Sequence, residues 1–516
     1  MRAETWPVRS VLLAVLVVLL IGTSAYNTVL NNAYAYGATL HDSTIFATIM
    51  WRSGWLLMPA PALGTESFFN THITPIHYLP NLFSYWFPGD RITYYALVYG
   101  AVYGALGFAA FLVIRGVAPP RSGNWLGLFA AIALFCSLPV FQGQWEPHIE
   151  VASPLFAILM FRAWQLRDYR QSLLWLLLNA AIREDLGAVY AIPLALLAVV
   201  QYLANRGRDP DLAREQLRWG VILCGISIAW SIGAFAIQKR YFAQFDVMHQ
   251  FYFDRDNPLG HLTGALLSQR AHAILVNEQG IWLPLLVLVV AGGAFRDYEL
   301  LVGSVAFLPY ALINFLSKME LSATLNSYKA FPFAVVMLWP AIVALRRPTR
   351  AKRYLLLQLA VLACGIFSVS DGRLYFNGPW GLSAAAGRWF AQPLTEHAED
   401  YRAFGVRLGE PGALGTVRAS QGVIALYPYS FAPWYLSDYQ DLNLADVPKY
   451  DSFIWFVGDR DAAIAQNILA RAGDRDRYRV IGTKIELATR LPPDRLSIFA
   501  GLLEKLPLEA RPAVPR

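Results

Sequence analysis

Residues 172–204 read SLLWLLLNAAIREDLGAVYAIPLALLAVVQYLA. Two apolar runs, 172–182 and 186–204, are separated only by Arg183, Glu184 and Asp185. The second run is close to the ~20 residues that a helix needs to cross hydrocarbon, and the first is too short. The pair reads as a half-span rising to a charged turn and a full span descending from it. Charges at membrane depth are costly and mark functional positions. This one stretch therefore bears on both the fold class and the site.

Outward from it, apolar runs recur near 10–30, 92–114, 124–140, 149–164, 219–237, 280–296, 299–316, 331–346 and 353–370. The 516 residues are 56% hydrophobic and 15% charged, with a mean hydropathy of +0.38. Soluble chains carry about 25% charged residues. The balance excludes a disordered chain, a fibrous protein and a simple soluble enzyme, and predicts an α-helical polytopic membrane protein of about eleven spans. Short spans fit a bundle that shelters a polar cavity. The run 10–30 is too long for a signal-peptide core, and Tyr26-Asn27-Thr28 is a poor cleavage site, so it reads as a span. Cys136, Cys224 and Cys364 all fall in apolar runs and read as small core residues, with no disulfide framework or metal-thiolate site.

Lys and Arg set the direction of the spans. Short basic loops hold Arg2 and Arg9; Arg115 and Arg121; Arg162, Arg167 and Arg170; Arg206 to Arg218; Arg296; and Arg346 to Arg353. They face the cytoplasm. The aromatic and polar loops 31–91, 141–148, 238–279 and 317–330 face outward. The N-terminus is then inside, and residues 371–516 lie outside. The net charge of +7 is mainly this topology signal. No basic-aromatic module is present, so nucleic acid is not an expected partner.

The region 371–516 changes character. Residues 417–420 and 452–457 read as short buried strands, 461–472 has helical spacing, and 478–487 reads as one more strand. That order predicts a small extracytoplasmic α/β domain after a membrane domain of residues 1–370. No glycine-rich phosphate loop opens its helix.

Four polar clusters fall on the outward side. Asp42 begins an amphipathic segment, as an N-cap or as a general base held at the membrane surface. His72 and His77 share the loop 31–91, as backbone-bonded loop residues or a weak metal signal. Glu146, His148 and Glu150 crowd the start of a helix. They complement its dipole, form a hydrogen-bonded site, or hold a divalent cation such as Mg²⁺ or Mn²⁺. Arg183, Glu184 and Asp185 form an internal salt bridge, or Arg183 clamps a phosphate. Lys329, after Tyr328 and before Pro332 and Phe333, is either an interfacial lysine or a second cation at the site.

Taken in order, these clusters resemble a bacterial family of multi-pass membrane proteins, a domain of unknown function grouped with the GT-C-fold membrane glycosyltransferases. The shared pattern comprises Asp42 to Phe46, His72 to Pro75, Glu146 with His148 and Glu150, Arg183 to Asp185, and Tyr328 with Pro332 and Phe333. It covers most of the chain. Thr48 stands where the family often has Gln, and Ile149 where it often has Pro. The resemblance implies a hexosyl or pentosyl transferase that takes a sugar from a polyprenyl-phosphate donor with inversion. Asp42 would deprotonate the acceptor hydroxyl, and Arg183 and Lys329 would meet the leaving phosphate. His72, Glu146, His148, Glu150, Glu184 and Asp185 would hold the sugar or a divalent ion. The acceptor would be a cell-envelope glycan, lipid or protein, and the bilayer would hold the donor's tail. Two rivals remain: a transporter or flippase for a lipid-linked sugar or small solute, against which no repeated halves are visible, and a non-catalytic assembly or polysaccharide-binding protein.

Overall fold

A computed structural model describes residues 7–36, 41–55, 57, 67–145, 148–242, 249, 252–325, 327–366, 382–390, 414–420, 423, 434–435, 444–456, 460–472, 478–481 and 485–491. Each apolar run of the sequence is largely helical over its described residues. The helices are α1 (Val8–Tyr36), α2 (His41–Ile49), α3 (Tyr78–Ser84), α4 (Arg91–Val117), α5 (Gly123–Phe135), α6 (Leu138–Trp145), α7 (Ala152–Gln165), α8 (Tyr169–Ala180), α9 (Leu186–Asn205) and α10 (Pro210–Tyr241). They continue as α11 (Gly264–Asn277), α12 (Gln279–Phe295), α13 (Tyr298–Val305), α14 (Leu308–Phe315), α15 (Glu320–Ala323), α16 (Trp339–Ala344), α17 (Ala351–Ile366), α18 (Leu382–Phe390) and α19 (Arg460–Ala472).

Among the described residues, five helical segments are long and apolar enough to cross a membrane: Val8–Asn31, Arg91–Val117, Leu186–Asn205, Pro210–Tyr241 and Tyr298–Phe315. Three bent pairs raise the number to eight: α5 with α6 at 58°, α11 with α12 at 82°, and the helical stretch Tyr328–Ala344 with Pro348–Ile366 at 109°. This is below the eleven spans expected. The runs at 149–164 and 172–182 became α7 and α8, of 14 and 12 residues, which are too short to span alone.

Two compact units interleave along the chain. The first comprises Met1–Ala25, Thr71–Ile76 and Tyr99–Ala386. Local chemistry sets its helix ends. Asp168, Asp209 and Thr263 accept from backbone N–H groups at the starts of α8, α10 and α11, each at 3.1 Å, satisfying donors that a helix start leaves open. Arg296 takes a left-handed conformation (φ 50°) that stops α12. Glycines let α1 and α4 touch: a Cβ on Gly22 would stand 2.9 Å from Gly100 O, and one on Gly104 2.8 Å from Val18 O. Gly100 and Gly104 form the small-xxx-small spacing that brings membrane helices close. A buried polar network joins α7, α9, α10 and α13 to the turn after α16. Glu299 accepts from Arg347 Nη2 at 2.5 Å and Gln201 Nε2 at 2.8 Å, Gln216 donates to Gln201 at 3.1 Å, and Arg347 also pairs with Asp297.

The second unit comprises Tyr26–Asn70, His77–Val98 and Gly387–Arg516. It carries a five-stranded sheet of β1 (Val417–Ala419), β2 (Trp434–Tyr435), β3 (Ser452–Phe456), β4 (Tyr478–Ile481) and β5 (Ile485–Thr489), in the order β2-β1-β3-β5-β4. β1 lies parallel to β2 and β3, while β5 runs antiparallel to β3 and β4. The single strand expected over 478–487 is thus two antiparallel strands. Gly482 and Thr483, which favour turns, fall between them in the sequence. α19 packs Ala465 and Leu469 on Phe453 and Trp455 of β3. The strand-helix-strand order expected from the sequence is present.

Candidate functional site

The site lies in the first unit, at the turn between α8 and α9. A backbone bond from Ile76 N to Ala181 O, at 2.9 Å, brings segment 71–76 onto that turn. Gly187 permits the tight return: a Cβ there would lie 3.0 Å from that of Ala180. The turn is further fastened to α10 by Trp230 Nε1 donating to Ala180 O at 2.9 Å and by Ser231 Oγ donating to Glu184 O at 2.6 Å.

Each charge on the turn has a specific partner. Arg183 donates from Nε and Nη2 to the two carboxylate oxygens of Asp185, at 2.6 and 2.8 Å. Its Nη1 donates to Glu150 Oε1 at 2.5 Å. Glu150 also meets His148 Nδ1, and the His148 ring stacks on Tyr328 with centroids 3.9 Å apart. Glu184 faces the other way. Its Oε1 lies 2.8 Å from His72 Nδ1, and its Oε2 accepts from Ile73 N at 2.9 Å. Lys329 is buried, donates to Tyr252 Oη at 2.7 Å and lies over the Tyr328 ring. Its carbonyl accepts from Tyr310 Oη at 3.2 Å.

The electrostatics follow from this pairing. Burial works against the Arg183 charge, but the adjacent Asp185 carboxylate outweighs it and holds the guanidinium pKa well above its usual value. Burial likewise opposes the Asp185 charge, but Arg183, helped by His72 and Lys329, holds that carboxyl below the ordinary carboxylate range. Asp185 stands at the N-cap position of α9 without making a side-chain cap bond, its oxygens being turned to Arg183.

These groups open onto a cavity of about 810 Å³. Its lining includes the ionic His72, Arg183, Glu184 and Asp185. The Asp185 side chain remains 39% exposed. The lining also includes apolar Val189 and Ile192 of α9, Phe235 of α10, and Ile313 of α14. Lys239 and Arg255 line it as well.

Of the residues singled out by sequence, the structure gathers His72, Arg183, Glu184 and Asp185 on one cavity, with His148, Glu150 and Lys329 linked behind it by direct contacts. Glu146 lies outside the described residues. Asp42 falls in the first turn of α2, and its side chain lies outside them too. Arg183, expected either in a salt bridge or as a phosphate clamp, has donors engaged by two carboxylates. Among the described residues no set of three His, Cys, Asp or Glu side chains is placed to hold a metal ion. Sequence reasoning missed Tyr252, Tyr310, Lys239 and Arg255. Tyr252 and Arg255 lie in the loop 238–279, whose aromatic and polar content was the available signal.

No protein-family model matches the chain, and no curated protein matches it. What the site can do is therefore read from its own chemistry.

Proposed function

We propose that the cavity binds a lipid-linked sugar phosphate and that the protein is a membrane glycosyltransferase acting at the outer face of a bacterial cytoplasmic membrane. One observation carries this reading: a single cavity is lined both by charged groups and by apolar side chains from candidate membrane spans. An amphiphile with a polar head and a polyprenyl tail matches both kinds of lining. The about 810 Å³ lies in the range of small-molecule sites, roughly 300–1,000 Å³. Asp185 and Glu184 are suited to accept from sugar hydroxyls. Lys239 and Arg255 suit a phosphate. In the transfer, an acceptor hydroxyl oxygen bonds to the sugar C1, the bond from C1 to the phosphate oxygen breaks, and that oxygen keeps the electron pair. The hydroxyl proton passes to a base. The sequence pattern assigns this role to Asp42; in the cavity itself, His72 held by Glu184 is the alternative. Holding donor and acceptor together in one cavity is the source of rate.

Mass spectrometry of envelope glycans and lipid-linked sugars, with and without the protein, tests the reading. Loss of one glycosylation together with accumulation of its lipid-linked donor is the expected result. Unchanged profiles in both pools would end the transferase reading. The bent helix pairs favour a second reading, since broken helices also occur in transporters. Purified protein in vesicles separates the two: a transferase joins sugar to acceptor without a second compartment, whereas a flippase only moves the donor between leaflets.

A further inference from the structure

Helix α3 has its polarity reversed. His77, Asn81 and Ser84, spaced i, i+4 and i+7, lie on one face and are buried. Leu79, Leu82, Phe83 and Trp86, spaced i, i+3, i+4 and i+7, lie on the opposite face and are 56%, 53%, 54% and 69% exposed. The helical turn continues to Trp86, whose N–H donates to Phe83 O at 3.2 Å. The His77 ring stacks on Phe46, with centroids 5.6 Å apart, and Asn81 and Ser84 are hydrogen-bonded. Asn81 Oδ1 accepts from Ser53 N at 2.8 Å, Asn81 Nδ2 donates to Gly54 O at 3.1 Å, and Ser84 Oγ accepts from Arg52 N at 2.9 Å. A helix in water turns its apolar stripe inward and its polar side out. A helix in hydrocarbon does the opposite, because polar groups there must find partners inside the protein.

The flanks agree. Trp55 and Tyr85 are exposed beside this face, and Trp and Tyr collect at the membrane–water boundary. The Tyr78 hydroxyl reaches Trp55 O at 2.5 Å. Arg52 lies over the Trp51 ring and donates to Phe87 O at 3.2 Å, next in the chain to the exposed Trp86. Six residues after Tyr85 the chain enters the candidate span α4, where Leu97 is again exposed. The apolar face is thus continuous in the chain with a surface already suited to lipid.

We infer that α3 and the turn after it lie in one leaflet of the bilayer, with Leu79, Leu82, Phe83 and Trp86 against lipid acyl chains and Arg52 at headgroup depth. The loop 31–91 is then partly a membrane-embedded element rather than a wholly water-facing one. This inference is independent of the transferase reading.

Depth-dependent quenching tests it. Cys136, Cys224 and Cys364 are replaced by Ala in the full chain, and Phe83→Cys or, as a water-exposed reference, Arg208→Cys carries an environment-sensitive fluorophore. Each protein is placed in lipid nanodiscs. Lipids spin-labelled on the acyl chain should quench the fluorophore at position 83 severalfold more than aqueous iodide does, with the order reversed at 208. Iodide quenching at 83 equal to that at 208 would overturn the inference. Protection from both quenchers, found only in an oligomeric fraction, would also overturn it by assigning the face to a second copy of the chain. A photoactivatable acyl-chain lipid, applied to the unmodified chain, supplies a measurement free of substitution. Cross-links within 78–87 are expected, and their absence alongside cross-links on α4 would count against the inference.

Discussion

Arg183 and Asp185, two positions apart, form a forked pair with two near-parallel hydrogen bonds of 2.6 and 2.8 Å, while the remaining arm of the guanidinium holds Glu150 of a distant segment at 2.5 Å. The arginine therefore knits the α8–α9 turn to the start of α7. Removing it would leave Glu150, which is buried, without its cation.

Arg183→Gln should accordingly destabilise the protein. Breaking a buried pair costs about 3–5 kcal/mol, and the partial exposure of Asp185 places the expectation at the lower end. Arg183→Gln combined with Glu150→Gln should recover part of the loss, because no unpaired charge then remains buried. Thermal unfolding in detergent measures both. Equal stability of wild type and Arg183→Gln would show that Glu150 is neutral or otherwise compensated.

The same pair fixes a pH dependence. The folded Asp185 carboxyl titrates below its ordinary value, so its pairing contributes stability that is fully present above the unfolded-state value of about 4. That contribution is lost as pH falls through the lowered folded value. The stability gap between wild type and Asp185→Asn should stay constant from pH 7 to about pH 5 and close only in stronger acid. Closure of the gap near neutral pH would assign the effect to another group.

At the other polar network, Glu299 accepts from Arg347 and Gln201. Glu299→Gln loses a charged acceptor and presents an amide donor to Gln201. Hydrogen bonds to charged groups contribute about 1.5–3 kcal/mol, and a loss of that size is expected. Arg347 keeps Asp297, so the double variant Glu299→Gln with Arg347→Gln should cost less than the two single losses added. Additive losses in unfolding measurements would mean that the two residues do not interact.

Much of this arrangement was legible one residue at a time. Arg183, Glu184 and Asp185 stood out because charges between apolar runs need partners, and the structure supplies them from segments 72–73 and 148–150. The partners themselves were not legible. Lys329 meets Tyr252 across 77 positions, and nothing in local spacing encodes that meeting. Periodicity also leaves direction open: residues 77–86 have a helical pattern in either medium, and only the bonds of Asn81 and Ser84 reveal which face is inside. The break between β4 and β5 was missed because the apolar residues of 478–487 were read as one run, although Tyr478 and Val480 are out of phase with Ile485 and Leu487. The span count differed because apolar length was read run by run, while α8 gains its shelter from packing on α7, α9 and α10.

The base of the proposed transfer is decided by two substitutions of similar shape. Asp42→Asn keeps a side chain of the same shape in the first turn of α2 but removes a proton acceptor. His72→Asn removes the imidazole held by Glu184 at 2.8 Å while leaving a polar side chain in the cavity. Loss of a general base lowers the rate roughly 100-fold to 10,000-fold. If Asp42 is the base, Asp42→Asn should lose transfer to that extent and His72→Asn should keep most of it. If the proton goes to His72, the order reverses, and Glu184→Gln should fall part of the way as the orienting bond weakens. Transfer is measured in membranes with a polyprenyl-phosphate sugar and a panel of hydroxyl acceptors, with protein level followed alongside. Near-normal rates in both single variants would remove both residues from the proton transfer. A large loss in both, with intact protein and unfolding temperature, would show that transfer requires each of them.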